Sequence, residues 1–322
     1  MQKEKLFIGV DLGGTNIKTG CFDAEVKLLA STSAPTQADF GPEYVVDKII
    51  ETISQAVEQS GASMDQVQGI GIGAPGPSDL AKGIIVAAPN LPMFRNVPLR
   101  KMIIERTGKP TVLENDANAA CYGEYVIGAG RGADDIIFLT LGTGIGGGIV
   151  TNGQLIHGYG DNAAELGHMI IEMDGRLCGC GQKGCVEAYA SANSTVKRAV
   201  EAIEAGRTST LAAIYRDKGK ITAKDIYEQL AAGDALAKEI TEGTAKALGI
   251  LCVSLLHVTG PRRIVFAGGM IAAGDLLLSR IRHYFCQYIW PLKPESLEIC
   301  FATLGEQAGM VGSAALARTI SY

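Results

Sequence analysis

Between Glu165 and Glu187 the sequence reads ELGHMIIEMDGRLCGCGQKGCVE, which sets His168, Cys178, Cys180 and Cys185 between two carboxylates. The thiols sit among Gly179, Gly181 and Gly184, residues that let the backbone fold sharply around an ion. Three thiolates and one imidazole make a closed tetrahedral donor set of the kind structural zinc takes, with no position left for a reactive water. A disulfide inside the cluster and three incidental buried thiols are the alternatives. Cys178 and Cys180 are too close to pair comfortably, and clustered thiols without a partner are a chemical liability. The expectation is therefore a metal-stapled loop that holds Glu165, His168 and Glu187 in place rather than one that performs chemistry.

At 322 residues the chain predicts one large or two medium α/β domains, and 47% hydrophobic residues suffice for a packed interior. A net charge of -5 and the lack of any Lys/Arg block argue against a nucleic-acid surface. The start, MQKEKLFIGVDLGGT, passes from a few charges into an apolar strand, without the three-part form of a signal peptide. No apolar run approaches the ~18 residues of a membrane span. Cys21, Cys121, Cys252, Cys286 and Cys300 lie mostly in apolar stretches that suit buried free thiols, so the expected compartment is a reducing cytoplasm.

Along the chain, residues 5–11 predict a buried strand, DLGGTNIKTG a turn, and CFDAEVKLLAST a second extended segment. Such a Gly-rich hairpin brings backbone N–H groups close to an anion; an ordinary tight turn is the plainer reading. A helix follows from Pro42 to Gln59, with Val45, Ile49, Ile53 and Val57 on one face. Residues 67–72 read as a strand ending in GAPGP, 83–86 as another, and APNLP puts Asn90 in a turn, where Asn is most often a turn former. Residues 99–107 form a helix closed by Gly108, and 110–113 a strand delivering ENDANAA at its carboxyl end, where open α/β sheets place ligands. Asp116 can be read there as the N-cap of the next helix, a role that does not exclude chemistry.

Residues 136–141 predict a buried strand followed by GTGIGGG and the strand-like IVTNG. Gly142, Gly144 and Gly147 satisfy the dinucleotide G-x-G-x-x-G spacing, but a strand follows instead of a helix, so the expectation is a second phosphate-facing hairpin. No Walker motif occurs. Helices are expected at 188–205, 222–230, 234–257, 275–288 and 306–317, and strands at 262–267 and 297–302. RRIVFAGGMI thus gives a third strand that ends in paired glycines.

Together DLGGT (11–15), GAPGP (73–77), ENDANAA (114–120), LGTGIGGG (141–148), ELGH (165–168), CGCGQKGC (178–185) and AGG (267–269) resemble the ROK family of sugar kinases and repressors. The likeness spans nearly the entire chain, and ELGH followed by the Cys knot is its most specific part. It implies an α/β, actin-like ATPase (ribonuclease H-like) fold of two lobes with an interlobe active-site cleft. The lobes would be 1–115 joined by a C-terminal helix at 304–322, and 116–303 with the zinc-binding loop. Their closure would exclude water.

The resemblance implies ATP-dependent phosphorylation of a hexose, with glucose going to glucose 6-phosphate as the leading case. Other implied acceptors are N-acetylmannosamine, allose, fructose and N-acetylglucosamine. Asp116 matches the catalytic base, and Asn90, Asn115, Glu165, His168 and Glu187 match positions that bind sugar hydroxyls. Gly13, Gly14, Thr15 and Asn16 align with the first phosphate hairpin, Thr143 and Gly144 with the second, and Gly268 and Gly269 with the adenosine cradle. Asp11 would orient Mg²⁺ through water, and zinc would sit on His168, Cys178, Cys180 and Cys185. Lys18 reads as a solvated surface charge. Many glucokinases of the family place a Trp after the Asn-Leu pair, where this chain has Phe94. The family's repressors carry an N-terminal helix-turn-helix, for which a first strand beginning by Leu6 leaves no room; a sugar-sensing regulator without catalysis is the remaining alternative. A homodimer or homotetramer is implied, with hexose and ATP as partners and no nucleic acid or membrane.

Overall fold

The computed structural model describes residues 5–290 and 297–320. The first four residues of the segment read as lacking a signal peptide, and the last two of the expected 304–322 helix segment, lie outside these. No described helix is long and apolar enough to cross a membrane. The chain forms two compact units, 1–132 with 148–164 and 303–322, and 133–147 with 165–302.

The first unit is built on β1 (Leu6–Leu12), whose Leu6, Ile8, Val10 and Leu12 alternate into the core. It pairs antiparallel with β2 (Asn16–Phe22), placing Leu12 opposite Ile17 and Asp11 opposite Lys18. This corrects the expectation of a turn through DLGGTNIKTG: only residues 13–15 turn. Ile17 is buried, as is every residue from Thr19 to Phe22; the polar Thr19 and the half-buried Lys18 disguise the strand. The next segment turns again before β3 (Leu28–Pro35).

Helix α1 (Pro42–Gln59) starts at its proline and buries Val45, Ile49, Ile53 and Val57 as the periodicity requires. β4 (Val67–Ala74) runs parallel to β1. The short strands β5 (Ser78–Asp79), β6 (Ile84–Ala87) and β7 (Arg95–Val97) make a separate antiparallel sheet around the Asn90 turn. α2 (Leu99–Thr107) stops at Gly108, whose φ of 65° is the left-handed C-cap that glycine adopts freely. β8 (Thr111–Asn115) completes the order β3-β2-β1-β4-β8 and leads directly into α3 (Asp116–Val126). The cap of α3 is Asn115, not Asp116. Asn115 Oδ1 accepts the N–H groups of Ala117 and Asn118 at 2.9 and 3.2 Å, which frees the aspartate from capping.

β9 (Ile136–Leu141) and β10 (Ile145–Thr151) flank the second glycine hairpin, and the end of β10 pairs with β11 (Gln154–Leu155) in the first unit. In the second unit, α4 (Glu187–Ala190) and α5 (Ala192–Glu204) replace the single helix expected over 188–205. Ser191, extended at φ -68° and ψ 160°, ends the first and caps the second by accepting the Ser194 N–H. α6 (Thr210–Lys218) was not expected; only Leu211 in it is fully buried, so its apolar stripe is weak. α7 (Ala223–Ala231) and α8 (Ala235–Thr259) begin at the caps Thr222 and Asp234. β12 (Arg263–Ala267) lies parallel to β9, α9 (Asp275–Tyr288) packs on α8, and β13 (Glu298–Phe301) lies parallel to β12.

The chain then returns to the first unit through α10 (Ala308–Ala317). A Cβ on Gly9 would lie 1.8 Å from the Met310 carbonyl oxygen, one on Gly71 1.8 Å from that of Ser313, and one on Gly312 1.6 Å from that of Ala119. Strands and helices therefore touch backbone to backbone. This close approach draws α3 into the first unit, so that residues 116–132, and with them 148–164, group differently from the expected division after 115. Glu124 on α3, fully buried, accepts the N–H groups of Ala129, Thr303 and Leu304 at 2.7, 3.0 and 2.7 Å. Glu124→Ala strands those donors in the interior and is expected to cost on the order of 3 kcal/mol, measured by urea unfolding.

Candidate active site

In the first unit, Asp11 lies near the end of β1 and Asp116 at the first position of α3. Burial, then the negative charge of Asp116, raises the Asp11 carboxyl to about 6, with Lys18 opposing the shift. A Cβ on Gly309 would sit 2.8 Å from the Asp11 Cγ, so α10 approaches this carboxylate closely and a larger residue there would displace it. Asp116 is likewise raised, by burial, against the hydrogen bonds that its carboxylate accepts, among them the Ala117 N–H at 2.8 Å. The strand β4 abuts it, because a Cβ on Gly73 would lie 3.6 Å from the Asp116 Cα.

The first hairpin joins this group. The Gly13 N–H donates to the Asn16 carbonyl at 3.0 Å, and Thr36 Oγ1 donates to the Gly13 carbonyl at 2.7 Å, which fixes the 13–15 turn. Gly14 packs on Asn90, where a Cβ would come within 2.7 Å of the Asn90 Cβ. Asp11, Gly13, Gly14, Asn90, Asn115 and Asp116 are thus brought together within one unit. Lys18 is not simply solvated, since its Nζ is 2.7 Å from Glu306 Oε2.

Because folding raises the Asp11 pKa from 3.8 to about 6, the linked stability is present below about 3.8 and lost as pH rises through about 6. Asp11→Asn is therefore expected to stabilise the ligand-free protein by about 3 kcal/mol above pH 7 and to have little effect at pH 4. Urea unfolding at the two pH values checks this; equal effects at both would remove the charge as the cause.

In the second unit, Gly144, Ile145 and Cys178 meet at Glu187. Its Oε2 accepts the Ile145 N–H at 2.8 Å, and the Cys178 thiol faces its Oε1 at 3.5 Å. Gly144 packs directly against this carboxylate: a Cβ there would lie 2.4 Å from Glu187 Oε2 and would push the side chain aside. A Cβ on Gly167 of ELGH would lie 2.2 Å from the Ile145 carbonyl oxygen, so backbone meets backbone there. Glu165 opens the single turn Leu166–His168, where its carbonyl accepts the His168 N–H at 3.0 Å. A cavity of about 260 Å³ is lined by Thr143, Cys178, Glu187, Ser191 and Lys197.

His168, Cys178, Cys180 and Cys185 form a candidate metal centre, with their ligand atoms within 4.8 Å of one another. Cys180 and Cys185 Sγ are 3.7 Å apart, and Cys178 Sγ and His168 Nδ1 3.9 Å. None of the three thiols is joined in a disulfide. Gly268, at the end of β12 with φ 88°, would place a Cβ 2.5 Å from the Leu141 carbonyl oxygen, and Gly269 starts a short turn beside it. A second cavity, about 380 Å³ and largely apolar, lies between Gly269, Met270, Ala273 and Leu276 and the α7 residues Lys224 and Tyr227.

Sequence reasoning missed Glu114 and His157, which meet in the first unit with Glu114 Oε2 2.7 Å from His157 Nε2. The one available signal was an acid inside an otherwise buried strand.

The chain matches the model of the ROK family over residues 7–320. It is 38% identical to the glucokinase of Thermotoga maritima over 316 residues, covering 98% of each chain. The solved ROK family glucokinase of Streptomyces griseus, in complex with glucose and AMPPNP, is 37% identical with a TM-score of 0.79, covering 98% of this chain and 100% of that one. The ROK hexokinase of Thermus thermophilus is 32% identical with a TM-score of 0.82, covering 97% of both.

Proposed function

The chain belongs to the ROK family, with its actin-like fold, and from that premise we infer that it is an ATP-dependent hexose kinase whose acceptor is glucose. The observation that carries the chemical part of the reading is Asp116. It is a largely desolvated, half-buried carboxylate relieved of capping by Asn115, with a raised proton affinity. An alcohol is a poor nucleophile at neutral pH. Asp116 accepts the proton of the sugar hydroxyl as its oxygen bonds to the γ-phosphorus and the bond to the ADP oxygen breaks, giving hexose 6-phosphate and ADP.

Asn90, Asn115, Glu165, His168 and Glu187 are proposed to bind the hydroxyls, a task suited to amides and carboxylates because a hexose offers many donors and acceptors but no charge. The Gly13–Asn16 turn and Thr143 with Gly144 would receive the phosphates. The apolar cavity beside Gly268 and Gly269 has the size and lining for the nucleotide's base. Mg²⁺ fits at Asp11, where the repulsion from Asp116 that a divalent cation would relieve is already built in.

The Cys/His cluster fits zinc. Two thiolates at about 2.3 Å from a tetrahedral centre stand about 3.8 Å apart, close to the Cys180–Cys185 separation of 3.7 Å. Zinc there would close the loop that carries His168 and Glu187, and supply no reacting group. Free thiols at such a cluster suit a reducing cytoplasm. A homodimer or homotetramer is proposed from the family resemblance, to be read by light scattering.

A coupled ADP-release assay over glucose, N-acetylmannosamine, allose, fructose and N-acetylglucosamine tests the acceptor. Glucose is expected to give the highest kcat/KM; another hexose exceeding it tenfold would reassign the substrate.

A further inference from the structure

Glu114, 3% exposed in β8, has both carboxylate oxygens engaged. Oε1 accepts the Asn115 N–H at 2.9 Å and Asn118 Nδ2 at 3.1 Å, so it grips the chain on either side of Asp116. Oε2 faces His157 Nε2 at 2.7 Å. A buried carboxylate is costly to leave uncompensated, so the imidazole opposite it favours its protonated form.

His157 opens the loop 157–164, which closes on itself through the Ala163 N–H and the His157 carbonyl at 3.0 Å. Asp161 Oδ2 holds the same loop by accepting the Leu80 N–H at 2.9 Å. Asp161 and Ala164 have φ of 56° and 64°, left-handed values that non-glycine residues keep only where neighbouring contacts enforce them. In sequence the loop runs directly into Glu165.

We propose that Glu114 and His157 are a positioning pair, in which one buried charge fixes both the backbone around Asp116 and the loop that leads into ELGH. The proposal rests on the reading of Asp116 as the base. Neither residue touches the reacting atoms; they act through Asn115, Asn118 and the loop.

The hydrogen bond to Glu114, then the charges of Glu114 and Asp161, hold the imidazole above its ordinary value, with partial burial opposing. The charged groups facing it are thus Glu114 from β8 and Asp161 from its own loop, both acids. A raised histidine contributes fully below its unfolded pKa of about 6.5 and loses that contribution as pH rises through its folded value. The tether accordingly weakens on the alkaline side.

The test compares wild type, His157→Gln and Glu114→Gln/His157→Gln across pH 6 to 9. It follows kcat, the KM for ATP, and amide exchange protection of residues 157–164. His157→Gln, which keeps a donor near Glu114 but leaves its buried charge uncompensated, is expected to lower kcat about tenfold at pH 7, leave the KM for ATP unchanged and cut loop protection about tenfold. The double variant, a neutral amide pair, is expected to recover wild-type thermal stability and most of kcat, and to lose the alkaline fall in kcat and in protection. Should His157→Gln fail to fold, the double variant carries the comparison alone. An alkaline profile and loop protection unchanged from wild type in the double variant would overturn the proposal. A wild type without turnover on any hexose, yet with loop protection that falls as pH rises, would refute the kinase reading while upholding the tether.

Discussion

Asp116→Asn is expected to lower kcat about 10³-fold while leaving the KM for the sugar within about threefold of wild type. The amide is isosteric, and its oxygen can still accept the Ala117 N–H that the carboxylate accepts at 2.8 Å, so the start of α3 is preserved. What is lost is the ability to take a proton as the sugar oxygen attacks. In the wild type the raised Asp116 pKa places the acid limb of kcat above the ordinary carboxylate range, with activity falling as pH drops through it. The substitution also removes a negative charge that raises Asp11, so the Asp11 carboxyl is expected to titrate lower in the variant. Steady-state kinetics against sugar and ATP check the first point, and NMR titration of the Asp11 carboxyl the second. A variant with near wild-type kcat would take the base role away from Asp116.

Cys180→Ser is expected to abolish zinc binding at the proposed metal centre and raise the KM for glucose about 100-fold, with a smaller effect on kcat. Cys180 is exposed whereas Cys178 and Cys185 are buried, so its replacement leaves no packing cavity to confuse the result. The consequence for sugar follows from the contacts. Cys178 faces Glu187 at 3.5 Å, and Glu187 in turn holds the Ile145 N–H, so loosening the knot loosens the carboxylate and the second hairpin with it. Metal analysis of the purified variant, together with glucose titration, decides the matter. Full zinc occupancy with normal folding would remove Cys180 from the ligand set.

Much of the architecture was written in local patterns. The period-3.6 stripe of α1, the alternation of β1, the buried run of β9 and the glycine after α2 each depend on residues within one or two turns of one another. The Cys cluster was legible for the same reason: three of its ligands lie between residues 178 and 185, and the chain between them has little freedom to separate them. The family motifs added the proposed role of Asp116 as the base. Where the sequence misled, a residue within the segment or next to it hid or shifted the pattern. β2 was concealed by Thr19 and Lys18, and the capping role passed from Asp116 to Asn115. Ser191 broke an otherwise continuous helical pattern.

The sequence by itself determined most of the strands and helices, though not β2, α6 or the break at Ser191, and that four ligands could close on one ion. Only the tertiary structure decided that Glu114 meets His157 across 43 positions, that Gly309 admits Asp11 and Gly144 admits Glu187, and that burial raises Asp11 and Asp116. The reason is one of range. Hydrophobic periodicity and ligand spacing are properties of a few consecutive residues. Desolvation, charge pairing and steric exclusion depend on which backbones come into contact, and that is fixed only when α10 returns to pack on β1 and α3.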